Sequence, residues 1–152
     1  MRIYLACTVR GSRSGVAAAR AAAETLTALG HEVMTSHLLE DDVERAEAAV
    51  TEREVYERDK AWLDACDAVV AEASGSTYGV GFEVGYVTGR AAASGQRIVV
   101  LYDAAARDRV SRLIAGFSDP RGAVCAYSSA GDVRAFIEAH FGAGRPASGD
   151  GI

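Results

Sequence analysis

Nowhere in the 152 residues does an apolar run reach the ~18 positions of a membrane-spanning helix, and the start, MRIYLACT, lacks a signal-peptide pattern. Cysteine is sparse and scattered. Cys7, Cys66 and Cys125 form no CxxC pair and have no histidine at ligand spacing, which excludes a disulfide framework and a zinc site. The expectation is reduced, buried thiols in a cytoplasmic protein without a metal or other cofactor. Basic charge is also short: 16 Lys and Arg against 21 Asp and Glu give a net charge of −5, with the arginines dispersed. Without a dense basic stripe, counterion release on nucleic acid has no footing. No GxxxxGK[ST] phosphate loop occurs. What remains is an ordinary globular composition, 49% apolar and 24% charged, long enough for one domain with a substantial core.

Apolar runs and helix-like stretches alternate along the chain. Strands are predicted at Ile3–Cys7, His31–Ser36, Asp67–Ala73, Arg97–Tyr102 and Ala123–Tyr127, with helices at Val16–Leu29, Ala48–Cys66, Val80–Ser94, Arg107–Ala115 and Gly131–Phe141. Gly30 and Gly95 close the first and third helices. The acidic stretch from His37 to Glu47 reads as irregular, a candidate mobile flap. Residues 143–152 read as a small polar, disordered tail after a domain of 1–142. Five strands alternating with five helices predict an α/β flavodoxin-like (Rossmann-like) three-layer sandwich. Its five-stranded parallel sheet has order 2-1-3-4-5 with helices on both faces. Ligands in such sheets sit at the carboxyl ends of the strands beside the switch point. The loops Thr8–Ser14 and Ser74–Gly79 meet there.

The stretch Ser74–Gly89, SGSTYGVGFEVGYVTG, is the most unusual in the chain. Its glycines leave one helix face bare, open to close approach by a backbone or ligand. Glu83 lies about one turn past Ser76 and Thr77, either a candidate helix cap. A first-turn carboxylate feels the positive end of the helix dipole, so Glu83 is expected to be ionised and able to act as nucleophile or base. The alternative is that it merely pairs with an arginine. On the long helix, Val55, Asp59, Trp62, Leu63 and Cys66 share one face, which sets Asp59 within an apolar stripe. There it needs a donor or must hold a proton part of the time; otherwise it caps a neighbouring element. Two carboxylates brought to one cleft suit glycosidic bond cleavage. On this reasoning Glu83 is the anion and Asp59 the proton carrier.

An anion site is suggested by Thr8, Arg10 and the amides of Val9 and Gly11, and by the helix start near Gly79. Arg10 and Arg13 could equally be solvated loop charges. Tyr4 is a core residue whose hydroxyl could reach the cleft. His37 reads as a pocket-rim residue and Ser111 as an ordinary surface serine.

The segments IYLACTVRGSR, ERDKAWLDACDAVVAE and TYGVGFEVGYVTGRA, in that order and spacing, resemble the nucleoside 2-deoxyribosyltransferase superfamily, most closely its 2'-deoxynucleoside 5'-phosphate N-hydrolases. The resemblance spans about Ile3 to Phe141. It implies that Glu83 is the nucleophile toward C1', and that Asp59 assists base departure or positions the nucleophile. Tyr4 would lie beside the sugar, and Thr8, Arg10 and Thr77 would hold the phosphate. Ser111 would reach the phosphate of a neighbouring subunit, implying a homodimer with shared sites. This chain departs at Thr8 and Thr77, where the hydrolases carry serine, and at Cys7, where they carry glycine. Both hydroxyls survive, while the pocket's size changes. Relatives include enzymes acting on ribonucleotides such as CMP, so the sugar stays open.

The implied activity is hydrolysis of a (deoxy)ribonucleoside 5'-monophosphate to base and sugar phosphate, with a small-molecule partner and neither membrane nor nucleic acid. Base exchange on unphosphorylated nucleosides is the second reading, disfavoured by Arg10 and Ser111. A phosphoribohydrolase of the cytokinin-activating type would carry PGGxGT, which is absent. A nucleotide sensor without turnover would gain nothing from two carboxylates near the sugar.

Overall fold

Strands whose side chains are apolar on both faces can only be covered on both faces. The computed structural model describes residues 1–142 apart from Gly11 and Ser76, so the expected tail lies outside the described residues. Its strands are β1 (Arg2–Ala6), β2 (Glu32–Val33), β3 (Ala68–Glu72), β4 (Arg97–Asp103) and β5 (Gly122–Tyr127). They pair all-parallel in the order β2-β1-β3-β4-β5, the order expected.

Among the described residues α1 (Val16–Ala28), α2 (Val43–Glu47), α3 (Glu52–Ala65), α4 (Tyr78–Ser94) and α5 (Arg112–Ala115) lie between strands, and α6 (Ala130–Phe141) follows the last. Alternation along each strand divides the core. Ile3, Leu5, Val70, Val99 and Leu101 pack with α1 and α6. Tyr4, Val69, Ala71, Ile98 and Val100 pack on the other face with Leu63 of α3 and Val80, Val84 and Val87 of α4.

Local chemistry moves several expected boundaries. The second strand is two residues long, not six, because Thr35 substitutes its hydroxyl for a backbone rung. Thr35 Oγ1 donates to the Leu5 carbonyl at 2.7 Å and accepts from the Leu5 amide at 2.9 Å. Helix α3 begins at Glu52, after a reciprocal capping box between Thr51 and Glu54. The expected helix at Arg107–Ala115 is reduced to the single turn α5, preceded by a 3-10 turn at Ala104–Ala106.

The stretch after β2 is folded rather than irregular. A 3-10 turn at Ser36–Leu39 leads to α2, and two arginines hold it down. Arg13 donates to the carbonyls of Thr8, Leu38 and Glu40, and Arg20 donates to that of Leu39. No described helix is long and apolar enough to cross a membrane.

Candidate active site

Parallel order places the ends of β1 and β3 side by side, and the loops leaving them touch. Thr8 Oγ1 lies 3.5 Å from Thr77 Oγ1. Gly75 makes this approach possible, since a Cβ there would collide with the Thr8 side chain. Thr77 is the N-cap residue of α4, and its hydroxyl makes no capping bond.

A cavity of about 330 Å³ opens over these loops. Val9, Arg10, Thr77 and Gly79 line it together with Glu47, Val55, Arg58, Asp59 and Glu83. Volume and lining suit one small ligand. Arg10 is exposed, and among the described residues its guanidinium makes no hydrogen bond or ion pair. Arg13 is instead spent on backbone carbonyls.

Glu83 sits in the second turn of α4, not the first, so helix-dipole stabilisation is weaker than its sequence position suggested. Its partner is Tyr4, whose hydroxyl donates to Glu83 Oε1 at 2.7 Å; among the described residues it pairs with no arginine. Burial pushes the Glu83 carboxyl up to about 7; the Tyr4 hydrogen bond opposes this, and the nearby Asp59 charge adds to it. The expectation that Glu83 rests as an anion is therefore corrected: its carboxyl takes up a proton near neutral pH. Burial, then the Glu83 charge, drives the Tyr4 hydroxyl far above its ordinary range, so it stays a donor.

Asp59 has the donor its apolar stripe called for. Arg58 Nε–H bonds Asp59 Oδ1 at 2.8 Å, and among the described residues Asp59 caps no strand or loop end. The stripe itself divides, with Val55 and Asp59 facing the cavity and Leu63 and Cys66 entering the core. Cys7 lines the cavity floor, its thiol raised to about 11 by burial.

Other expected site residues sit elsewhere. His37 is not in the cavity lining. It stands edge-on to Trp62 at 5.6 Å, with Nε2 buried, unbonded and 3.6 Å from Glu47 Oε1, too far for a hydrogen bond. Burial, and Arg58 after it, lowers its pKa. Ser111 lines a second cavity, about 440 Å³, with Thr77, Phe82 and Leu113. Gly11 and Ser76 lie outside the described residues. The bare glycine face of α4 is open, since a Cβ at Gly79, Gly81, Gly85 or Gly89 would meet nothing. Among the described residues, no three His, Cys, Asp or Glu side chains could hold a metal ion.

Sequence reasoning missed three residues around the site. Arg58 and Glu47 form a bidentate pair at 2.9 and 3.2 Å beside Asp59. Glu72, fully buried at the end of β3, accepts at Oε1 from the Ser74 amide (3.2 Å), the Ser74 hydroxyl and the Tyr127 hydroxyl (2.9 Å). Burial raises its pKa. A lone Glu inside the apolar run DAVVAEA was the available signal.

These features define a doubly wound α/β domain with a carboxylate-lined cleft, holding Asp59 and Glu83, at the carboxyl ends of its strands. The nucleoside 2-deoxyribosyltransferase family profile matches residues 3–123, and the chain belongs to that family. A protein of Thermofilum pendens, provisionally named 2'-deoxynucleoside 5'-phosphate N-hydrolase 1, is 37% identical over 128 residues, covering 84% of this chain and 86% of its own. The 5-hydroxymethyl-dUMP N-hydrolase of Mus musculus is 34% identical over 119 residues, covering 77% of this chain and 66% of its own. The solved CMP N-glycosidase of Clostridium botulinum shares the fold, with a TM-score of 0.66 at 16% identity, over 92% of this chain and 99% of that one.

Proposed function

We propose that the chain hydrolyses the N-glycosidic bond of a (deoxy)ribonucleoside 5'-monophosphate, releasing free nucleobase and (deoxy)ribose 5-phosphate. The observation that carries this reading is the lining of one cavity. The carboxylates of Asp59 and Glu83 share it with Arg10, unpaired among the described residues, and with the N-terminus of α4. The names of the Thermofilum and mouse relatives point the same way.

The phosphate lies against Arg10, the Val9 and Gly79 backbone and the Thr8 and Thr77 hydroxyls. This anchoring sets C1' over Glu83. The ionised Glu83 Oε attacks C1', the C1'–N bond breaks, and its electron pair leaves with the base, which is protonated with the help of Asp59. Water then attacks C1' of the glycosyl ester, returning Glu83 as the carboxylate and giving up a proton. Tyr4, donating to Glu83, stabilises the anion before attack and the leaving carboxylate afterwards.

The active form is a homodimer in which Ser111 serves the partner's phosphate site. Support comes from the large apolar side chains left exposed around α4 and α5: Tyr78 fully, Leu113 at 85% and Phe82 at 50%. The test is a panel of ribo- and deoxyribonucleoside 5'-monophosphates, with base release followed by chromatography. Release from one or more monophosphates, abolished in Glu83→Ala, is expected. Wild type and Glu83→Ala behaving alike on every monophosphate would remove the reading. Preference for nucleosides plus an acceptor base would replace it with base exchange.

A further inference from the structure

Residues adjacent on a helix do not face one another. Yet Arg58 and Asp59, neighbours on α3, are hydrogen-bonded through Nε and Oδ1 at 2.8 Å. Something outside α3 must turn the Arg58 side chain along the cavity wall, and the hydrogen bonds identify it. Both terminal nitrogens of Arg58 fork onto the two oxygens of Glu47, the last residue of α2, at 2.9 and 3.2 Å. The guanidinium also lies over the Trp62 ring, 5.1 Å from its centroid. Glu47 and Arg58 are 13% and 25% exposed in their side chains, so the fork is largely removed from water. Its hydrogen bonds from Arg58 hold Glu47 below the ordinary carboxylate range, so the pair stays ionised. Asp59 Oδ1 is committed to this chain of bonds. Oδ2 makes no hydrogen bond among the described residues and is the oxygen left for a ligand.

We propose that Glu47 and Arg58 are positioning residues for Asp59: the Glu47 carboxylate fixes the Arg58 fork, and the fork fixes the orientation of the Asp59 carboxyl toward the departing base. Neither side chain transfers a proton or touches the reacting atoms. The acidic stretch between β2 and α3 thus orients a catalytic group as well as covering the cavity. The proposal rests on the N-glycosidase reading for its kinetic consequence, but the bond chain itself can be read without turnover.

A full guanidinium fork is required. Lysine at position 58 keeps the charge but presents one ammonium, which cannot bind Asp59 and both Glu47 oxygens in this geometry. The test uses full-length protein labelled with 15N-arginine and has two arms. In the first, the Arg58 Nε–H resonance is assigned by its loss in Arg58→Lys. It should move in Asp59→Asn, broaden or shift in Glu47→Gln, and return part-way in Glu47→Asp. In the second arm, Glu47→Gln and Arg58→Lys should each lower kcat on a monophosphate by about tenfold while KM stays within about twofold, as expected for lost orientation rather than lost binding. An Arg58 Nε–H resonance unchanged in Glu47→Gln overturns the proposal. So does a wild-type kcat in Arg58→Lys, or a loss confined to KM. If wild type cleaves no monophosphate, the N-glycosidase reading fails, and the resonance arm alone decides whether Glu47 holds Arg58 on Asp59. Should Glu47→Gln fail to fold, Glu47→Asp carries the resonance arm, where an unchanged Arg58 Nε–H resonance overturns the proposal, and Arg58→Lys carries the kinetic one.

Discussion

Tyr4, in the middle of β1, donates its hydroxyl to Glu83 Oε1, in the second turn of α4, across 2.7 Å. The bond joins the sheet to the helix at a carboxyl that burial pushes up to about 7. Burial disfavours the Glu83 anion and Tyr4 favours it, so the hydroxyl sets how much of that anion exists near neutral pH.

Tyr4→Phe removes the bond that stabilises the anion, so the Glu83 midpoint should rise above about 7. The acid limb of kcat/KM moves to higher pH. Activity should fall by about tenfold or more at pH 6.5 and by less at pH 8.5, where the anion forms despite the loss. A pH–rate profile of both proteins checks this.

Stability should carry the opposite sign. Glu83 has a folded-state value raised from 4.5 to about 7, so its contribution is full below 4.5 and is lost as pH rises through about 7. Glu83→Gln, which stays neutral and can still accept from Tyr4, should therefore be more stable than wild type at pH 8. The gain is on the order of 3 kcal/mol at most, disappearing by pH 4. Denaturant titrations at the two pH values measure it, and the gain in stability with loss of activity is the usual trade at an active site.

Much of this was legible in the chain, and the exceptions share a cause. The sheet order followed from the alternation of strands with helices, and Glu83 and Asp59 stood out because each breaks a pattern of small or apolar residues. The Thr51–Glu54 capping box was also written locally, although the helix was expected to start at Ala48. What stayed hidden depends on contacts between distant elements. Thr35 shortens β2 by bonding to Leu5, thirty residues away. Arg58 is an ordinary surface-type residue until Glu47 of α2 folds it onto Asp59. Burial overrode the helix dipole at Glu83, and no sequence period reports how deep a side chain will sit.

Arg10 is exposed beside the cavity and unpaired among the described residues, so its removal should harm binding rather than chemistry. Arg10→Ala should raise KM for a monophosphate by about tenfold or more with little change in kcat, since a uniform anchoring contact is lost. The unphosphorylated nucleoside should be indifferent to the change. Steady-state kinetics on the two substrates distinguish the cases.

Gly15 opens α1 directly against the Glu72 carboxyl, where a Cβ would overlap the side chain. Gly15→Ala should displace Glu72 from Ser74 and Tyr127 and destabilise the fold by about 2 kcal/mol, as overpacking of a buried site does. Ala at Gly79, where a Cβ meets nothing, should leave the thermal midpoint unchanged.

The role given to Glu83 is tested most directly by mass spectrometry of the intact protein after incubation with a 2'-fluoro-arabinonucleoside 5'-monophosphate. The fluorine destabilises the sugar cation and slows release of a glycosyl ester. The expected result is a gain of one fluoropentosyl phosphate, located on Glu83 by peptide fragmentation and absent from Glu83→Gln. An adduct on another residue, or base release from natural monophosphates undiminished in Glu83→Gln, would contradict it.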